Sequence, residues 1–208
     1  MNYKKIDLST WKRLPQYEFF KTFEQPFFNI TANVDVTKLH AYTKVNNAPY
    51  FYTILHTLLK TIHQIPEFKY RIDKESVLEY NRIDAGVTII KEDQNFIYGT
   101  VDYYENLDDF IRKSQAAIEI QKKERGFLPH TERNVVYVSS LPLVSFTGLQ
   151  HAKKTNVEDS IPRFVFGKYF KEGQQLKMPL SVGVHHALAD GFHVGRLFEL
   201  LQEDLDAF

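Results

Sequence analysis

Between Met178 and Leu205 the spacing of the apolar residues changes, and that change constrains the fold more than any other feature of the chain. Leu180, Val182 and Val184 alternate with Ser181, Gly183 and His185. This is period two, the mark of a strand whose two faces meet different surroundings. From Gly191 onward, Phe192, Leu197, Phe198, Leu200, Leu201 and Leu205 recur at helical spacing. Between the two runs lies His185-His186-Ala187-Leu188-Ala189-Asp190-Gly191. A strand must therefore hand over to a helix through a short, polar, histidine-bearing connection. Such a helix buries its apolar stripe only by packing back on the sheet, so the chain needs at least two layers.

The rest of the chain supplies the other elements. Phe28, Ile30, Ala32, Val34 and Val36 alternate with polar residues and predict a second half-buried strand. Tyr50 to Ile65 carries Phe51, Ile54, Leu55, Leu58, Leu59 and Ile62 on one helical face, with Pro49 before it and Pro66 as a stop. Val77–Tyr80, Gly86–Ile90 and Phe96–Val101 read as short strands, and Asn106–Arg125 as an amphipathic helix ended by Gly126. Asn134–Ser139, Leu143–Thr147, Arg163–Tyr169 and Met178–His185 complete the strands. Strands mixed irregularly with helices predict an α/β two-layer sandwich, a mixed sheet covered by helices. Pro and Gly are scattered singly and no linker divides the chain, so residues 1–208 are expected to form one domain.

Composition narrows the function. Lys+Arg and Asp+Glu are 26 each, so the formal net charge is zero and there is no electrostatic footprint for nucleic acid. With no cysteine, a disulfide framework, a thiolate nucleophile and a Cys-ligated zinc are all excluded. No apolar run is long enough to cross a membrane, and the opening MNYKKIDLSTWKRLPQYEFF does not read as a signal peptide; a cytoplasmic protein is expected. The 17 Phe and 12 Tyr residues demand either a large core or a ring-lined pocket or interface.

The His185–Gly191 connection is where chemistry is expected. Histidine is the natural general base near neutral pH, and a strand end holds a loop rigidly. His186 and Asp190 are four apart. Taken alone, they also fit a strand-end histidine and the N-cap of the last helix. A metal site drawn from His185, His186, Asp190 and His193 is disfavoured, because adjacent strand residues point to opposite faces. Read alone, Arg13 is an ordinary surface charge.

The longer string HHALADGFHVGRLFELLQ closely resembles the C-terminal signature of the chloramphenicol acetyltransferases. Trp11-Lys12-Arg13 with Tyr17-Glu18-Phe19-Phe20, Leu141-Pro142 with Ser145-Phe146-Thr147, Gly167-Lys168-Tyr169 and Met178-Pro179-Leu180 resemble further family segments in the same order. The shorter His-x-x-x-Asp-Gly core is shared with dihydrolipoyl transacylase cores and peptide-synthetase condensation domains.

The resemblance implies an acetyl-CoA-dependent O-acetyltransferase. His186 would be the general base on an acceptor hydroxyl. Asp190 and Arg13 would form a structural pair holding its loop, Lys168 and Tyr169 would lie near the coenzyme, and Phe19, Phe20 and Phe28 would line the acceptor pocket. No metal is implied. The implied partners are CoA, a small-molecule alcohol and two further copies of the chain, in a homotrimer with sites at the subunit boundaries. Three departures stand out. Gly148 falls where the resemblance places a serine that donates to the oxyanion, and on a strand neither Ser145 nor Thr147 would share its face. Val165 replaces a threonine. Phe20 replaces a tyrosine. These departures leave two alternatives open, an acyltransferase for another hydroxyl or amine acceptor and a silent relative that only binds CoA or a small molecule. Restoring a hydroxyl by Gly148→Ser is expected to raise turnover.

Overall fold

The structure is a computed structural model and describes residues 2–123, 127, 129, 131–152 and 159–208. Its elements run β1 (Tyr3–Lys5), α1 (Leu14–Phe20), β2 (Phe27–Asp35), α2 (Thr37–Val45), α3 (Tyr50–His63), a 3-10 turn (Pro66–Lys69), β3 (Tyr70–Asp73), β4 (Ser76–Tyr80), β5 (Asp84–Ile90), β6 (Phe96–Val101), α4 (Leu107–Lys122), β7 (Val135–Leu141), β8 (Arg163–Gly167), β9 (Phe170–Glu172), β10 (Gln175–His185) and α5 (Gly191–Asp206). The main sheet has the order β2-β10-β8-β7-β5-β6, with β9 pairing on β10. Strand β10 is antiparallel to β2 and β8, whereas β7 is parallel to both β5 and β8. The expected mixed sheet covered by helices is therefore present. A small sheet, β1-β4-β3, stands beside it. Among the described residues no helix is long and apolar enough to cross a membrane.

One face of the main sheet carries the core. Val34, Val87, Val138, Phe164, Phe166, Leu180, Val182 and Val184 meet Ile54, Leu55, Leu58, Leu59 and Ile62 of α3, Phe110 and Ile118 of α4, and Leu197, Leu201 and Leu205 of α5 in one buried cluster. The opposite face follows from strand alternation. It carries Ser139, Val165, Ser181 and Thr31 side by side in register, with the Thr88 hydroxyl against that of Ser139. A second apolar cluster joins the chain ends: Tyr17, Tyr70, Ile72, Val77, Ala187 and Leu188, with Trp11, Leu14 and Phe20 packed against them. The loop between β10 and α5 is thus bolted to the N-terminal segment.

Several expectations change. Leu143–Thr147 is not a strand: β7 stops at Leu141, and a turn and an irregular segment follow. The expected strand through Tyr169 ends at Gly167, so Lys168 and Tyr169 form the connection to β9. Helices α1 and α2 and strands β1, β3 and β9 were not expected. Helix α4 begins as read, with the Asn106 side chain accepting from the Asp109 backbone N–H, but it ends at Lys122. Arg125 and Gly126 lie outside the described residues.

Candidate active site

The core of the site is built by β10, the loop that follows it and the segment before α1. The Arg13 guanidinium reaches across 177 positions and donates through Nη1 to Asp190 Oδ2 at 2.8 Å. Its Nη2 donates to the His186 carbonyl at 2.8 Å and its Nε to the Ala187 carbonyl at 3.0 Å. A planar guanidinium presents donors in a fixed fork, so three bonds to one loop fix the loop as a body. Asp190 is also the N-cap of α5: its Oδ1 accepts from the Phe192 backbone N–H at 3.1 Å. Asp190 thus pairs with Arg13 and caps α5 at once. Burial pushes the Asp190 carboxyl upward, but its hydrogen bond from Arg13 and the charges of His193 and Arg13 outweigh this and hold it below the usual range.

His186 sits at the end of β10, its N–H donating to the Pro26 carbonyl at 2.8 Å. Its ring stacks on Phe20, centroids 3.9 Å apart and planes within 6°. Phe28 tilts against the ring at 4.6 Å. The imidazole is half-buried in this aromatic clamp. Its Nδ1 is fully buried and finds no hydrogen-bond partner among the described residues.

The remaining residues divide. Phe19 is 61% exposed and lies edge-on to Phe20 at the rim. Lys168 and Tyr169 are exposed and have no contact with the His186 clamp; Tyr169 meets the rings of His40 and Tyr50 at 5.2 and 5.8 Å. Gly148 lies on an exposed stretch where an added Cβ would meet nothing within 4 Å. This segment is not a strand, so the argument that set Ser145 and Thr147 on the opposite face from residue 148 has no basis. Ser145 is instead spent within the chain, donating to the Lys168 carbonyl at 2.8 Å. Val165 is buried on the outer face between Ser139 and Ser181. The histidines expected to diverge do so: His185 accepts from the Ala187 N–H and lies edge-on to Phe27, away from His186. Among the described residues no group of three or more His, Cys, Asp or Glu side chains is arranged so that it could hold a metal ion.

One pair escaped the sequence reading. Thr88 Oγ1 and Ser139 Oγ lie 2.9 Å apart on the outer face of the sheet. Two hydroxyls bonded to each other use one proton between them and leave the second free to donate. Only the sheet register could reveal this pair, because the residues are 51 positions apart.

Known proteins resemble this chain along nearly its whole length. Residues 1–202 match the family model described as chloramphenicol acetyltransferase. A chloramphenicol acetyltransferase of Clostridium perfringens is 29% identical over 207 residues, covering 98% of this chain and 94% of the relative. One from Clostridium butyricum is 30% identical over the same shares. A solved chloramphenicol acetyltransferase structure superposes with a TM-score of 0.87 at 25% identity, covering 98% of this chain and 99% of that one. A dihydrolipoamide acetyltransferase of Azotobacter vinelandii, 14% identical, shares the fold with a TM-score of 0.66, covering 92% and 85%.

Proposed function

The chain belongs to the chloramphenicol acetyltransferase family, and from that premise we propose how its side chains divide the reaction. The protein is an acetyl-CoA-dependent O-acetyltransferase of that type. His186 Nε2 takes the proton from an acceptor hydroxyl as the hydroxyl oxygen attacks the thioester carbonyl. The carbon–sulfur bond then breaks, and His186 returns the proton to the departing sulfur. A hydroxyl is a poor nucleophile near pH 7 unless its proton leaves as it attacks. Arg13 and Asp190 hold the base by fixing the loop carbonyls and never touch the substrate. Lys168 and Tyr169 bind CoA, and Phe19, Phe20 and Phe28 line the acceptor pocket. The observation that carries this reading is the half-buried His186 ring, clamped between aromatics with its loop gripped three times by Arg13.

The oxyanion needs a donor, and Gly148 has no hydroxyl to offer. The Thr88–Ser139 pair does, so we assign the donation to Ser139. Ser139 pairs in register with Val165 and Val165 with Ser181, which places it two strands away from β10 and level with a residue five before His186. From strand spacing and rise that is about 15–20 Å, too far for both to touch one carbonyl within a protomer. This supports a homotrimer in which His186 of one copy faces Ser139 of the next. The exposed Phe23, Leu143 and Val144 give such a contact an apolar surface. We read residues 1–208 as one domain within it.

An antibiotic such as chloramphenicol is the acceptor class the family suggests. Replacement of a phenol by Phe20 favours a second reading, in which the acceptor is a different, less polar alcohol. Release of thiol from acetyl-CoA, measured first with chloramphenicol and then with a panel of alcohols, separates the two. His186→Ala is expected to lower turnover by at least about 10²-fold on whichever acceptor works. Unchanged turnover in that variant would overturn the assignment of the base. CoA binding without thiol release from any acceptor would leave a binding protein.

A further inference from the structure

Asp190 is gripped from two sides, and the Arg13 pairing accounts for only one of them. Arg13 holds Oδ2, while His193 Nδ1 lies 2.8 Å from Oδ1. His193 Nε2 faces Glu67 Oε1 of the 3-10 turn at 3.5 Å. Four side chains thus form a row from the 3-10 turn to the site: Glu67, His193, Asp190, Arg13. With His193 protonated, the charges along this row alternate. Asp190 and Glu67 are the carboxylates facing the imidazole, and the Arg13 charge opposes its protonation.

From this row we infer that His193 is a positioning residue for the acyl-transfer step, its protonated ring pressing Asp190 onto Arg13 and so fixing the carbonyl of His186. The inference rests on the reading of His186 as the base. Nδ1 has two partners that cannot be served at once. It lies 2.8 Å from Asp190 Oδ1, which needs a proton on Nδ1. It also lies 3.2 Å from the Asp190 backbone nitrogen, whose N–H needs a lone pair there. The charged ring takes the first partner and ties two carboxylates together. The neutral ring takes the second, serves only the helix cap and leaves Asp190 with one fewer donor. Glu67, through its hydrogen bond to the ring, raises the His193 pKa above the ordinary imidazole value, with the Asp190 charge adding to it and burial and Arg13 opposing. The sign follows: the grip is complete below the ordinary imidazole value and is lost as pH rises through the raised one.

The test uses the full chain and two variants, His193→Asn and Glu67→Gln. Ring-proton NMR of the wild type should show His193 titrating above the ordinary value, and Glu67→Gln should move that titration to lower pH. In the wild type, kcat should fall about three- to tenfold on the alkaline side as His193 deprotonates. Glu67→Gln should shift that limb to lower pH, and His193→Asn should remove it, with kcat low throughout and KM for both substrates within about twofold. A role in folding alone would instead lower the melting temperature and leave the shape of the pH profile intact. A His193 titration that Glu67→Gln does not move, or an alkaline limb that survives His193→Asn, would overturn the proposal. Because the titration is read without turnover, its outcome stands apart from that of His186→Ala.

Discussion

At the scale of single residues, the site sets hydroxyls against a position that has none. Within one copy a Cβ at Gly148 meets nothing within 4 Å, so no group of the same chain would aim a serine hydroxyl placed there. A donor contributes to catalysis when it is held in place before the charge develops. Ser139 is so held, by Thr88 at 2.9 Å on a strand bonded on both sides. We therefore expect Ser139→Ala to lower kcat by about 10²–10³-fold with KM little changed, the usual loss for one oxyanion donor. Gly148→Ser should leave kcat within about twofold, contrary to what the sequence alone suggests. Steady-state kinetics on the two variants decide this. A large gain from Gly148→Ser with an inert Ser139→Ala would return the donor to position 148.

At the scale of elements, Arg71 shows how the small sheet is tied to the large one. It lies on β3 and is fully buried. Its guanidinium donates to the carbonyls of Phe68, Tyr70, Arg133 and Val135, none of them charged. Burial pushes its pKa down to about 9, against the opposing charges of Tyr80 and Asp159. Arg71→Met would strip four carbonyls of their donor at once, and we expect a loss of at least about 3 kcal/mol in urea unfolding, because each buried group left unpaired costs about 1–3 kcal/mol. A loss under about 1 kcal/mol would mean that the carbonyls find other donors. Nothing in the sequence singles out this arginine, since its partners are brought together only by the fold. The same limit explains what was and was not legible among the elements. Strands β2 and β10 and helices α3 and α5 announce themselves because in each the apolar residues recur at a regular period, even where, as in β10, the polar residues between them are buried too. Helix α1 buries only Tyr17 fully, and α2 only Leu39 and Thr43, so neither shows a helical period. The reverse error falls at Leu143–Thr147, where Leu143 is 85% exposed. Alternation there satisfies no ladder in this chain. His186, Asp190 and Arg13 were legible through a motif and a resemblance. Ser139 and Glu67 were not, because each acquires meaning only from a neighbour set by register or packing.

At the scale of the whole molecule, the topology closes one half of the proposed site and leaves the other half on a distant part of the sheet. The second apolar cluster seals the N-terminal segment onto the β10–α5 loop, so the proposed base, its support and the aromatic clamp belong to one copy. Strands β5 and β7 carry the hydroxyl pair out of its reach. If the proposed trimer joins these halves in rotation, each site draws its base from one chain and its donor from the next. A mixture of two crippled variants should then recover activity. Unfolding and refolding His186→Ala together with Ser139→Ala in equal amounts gives random trimers in which about a quarter of the sites combine an intact base with an intact donor. Thiol release should rise to about a quarter of the wild-type rate, whereas each variant refolded alone stays low. Sedimentation of the mixture should show one species of three chains. Were the mixture no more active than the better variant, base and donor would have to come from the same copy, and the assignment of Ser139 would fall with the shared site.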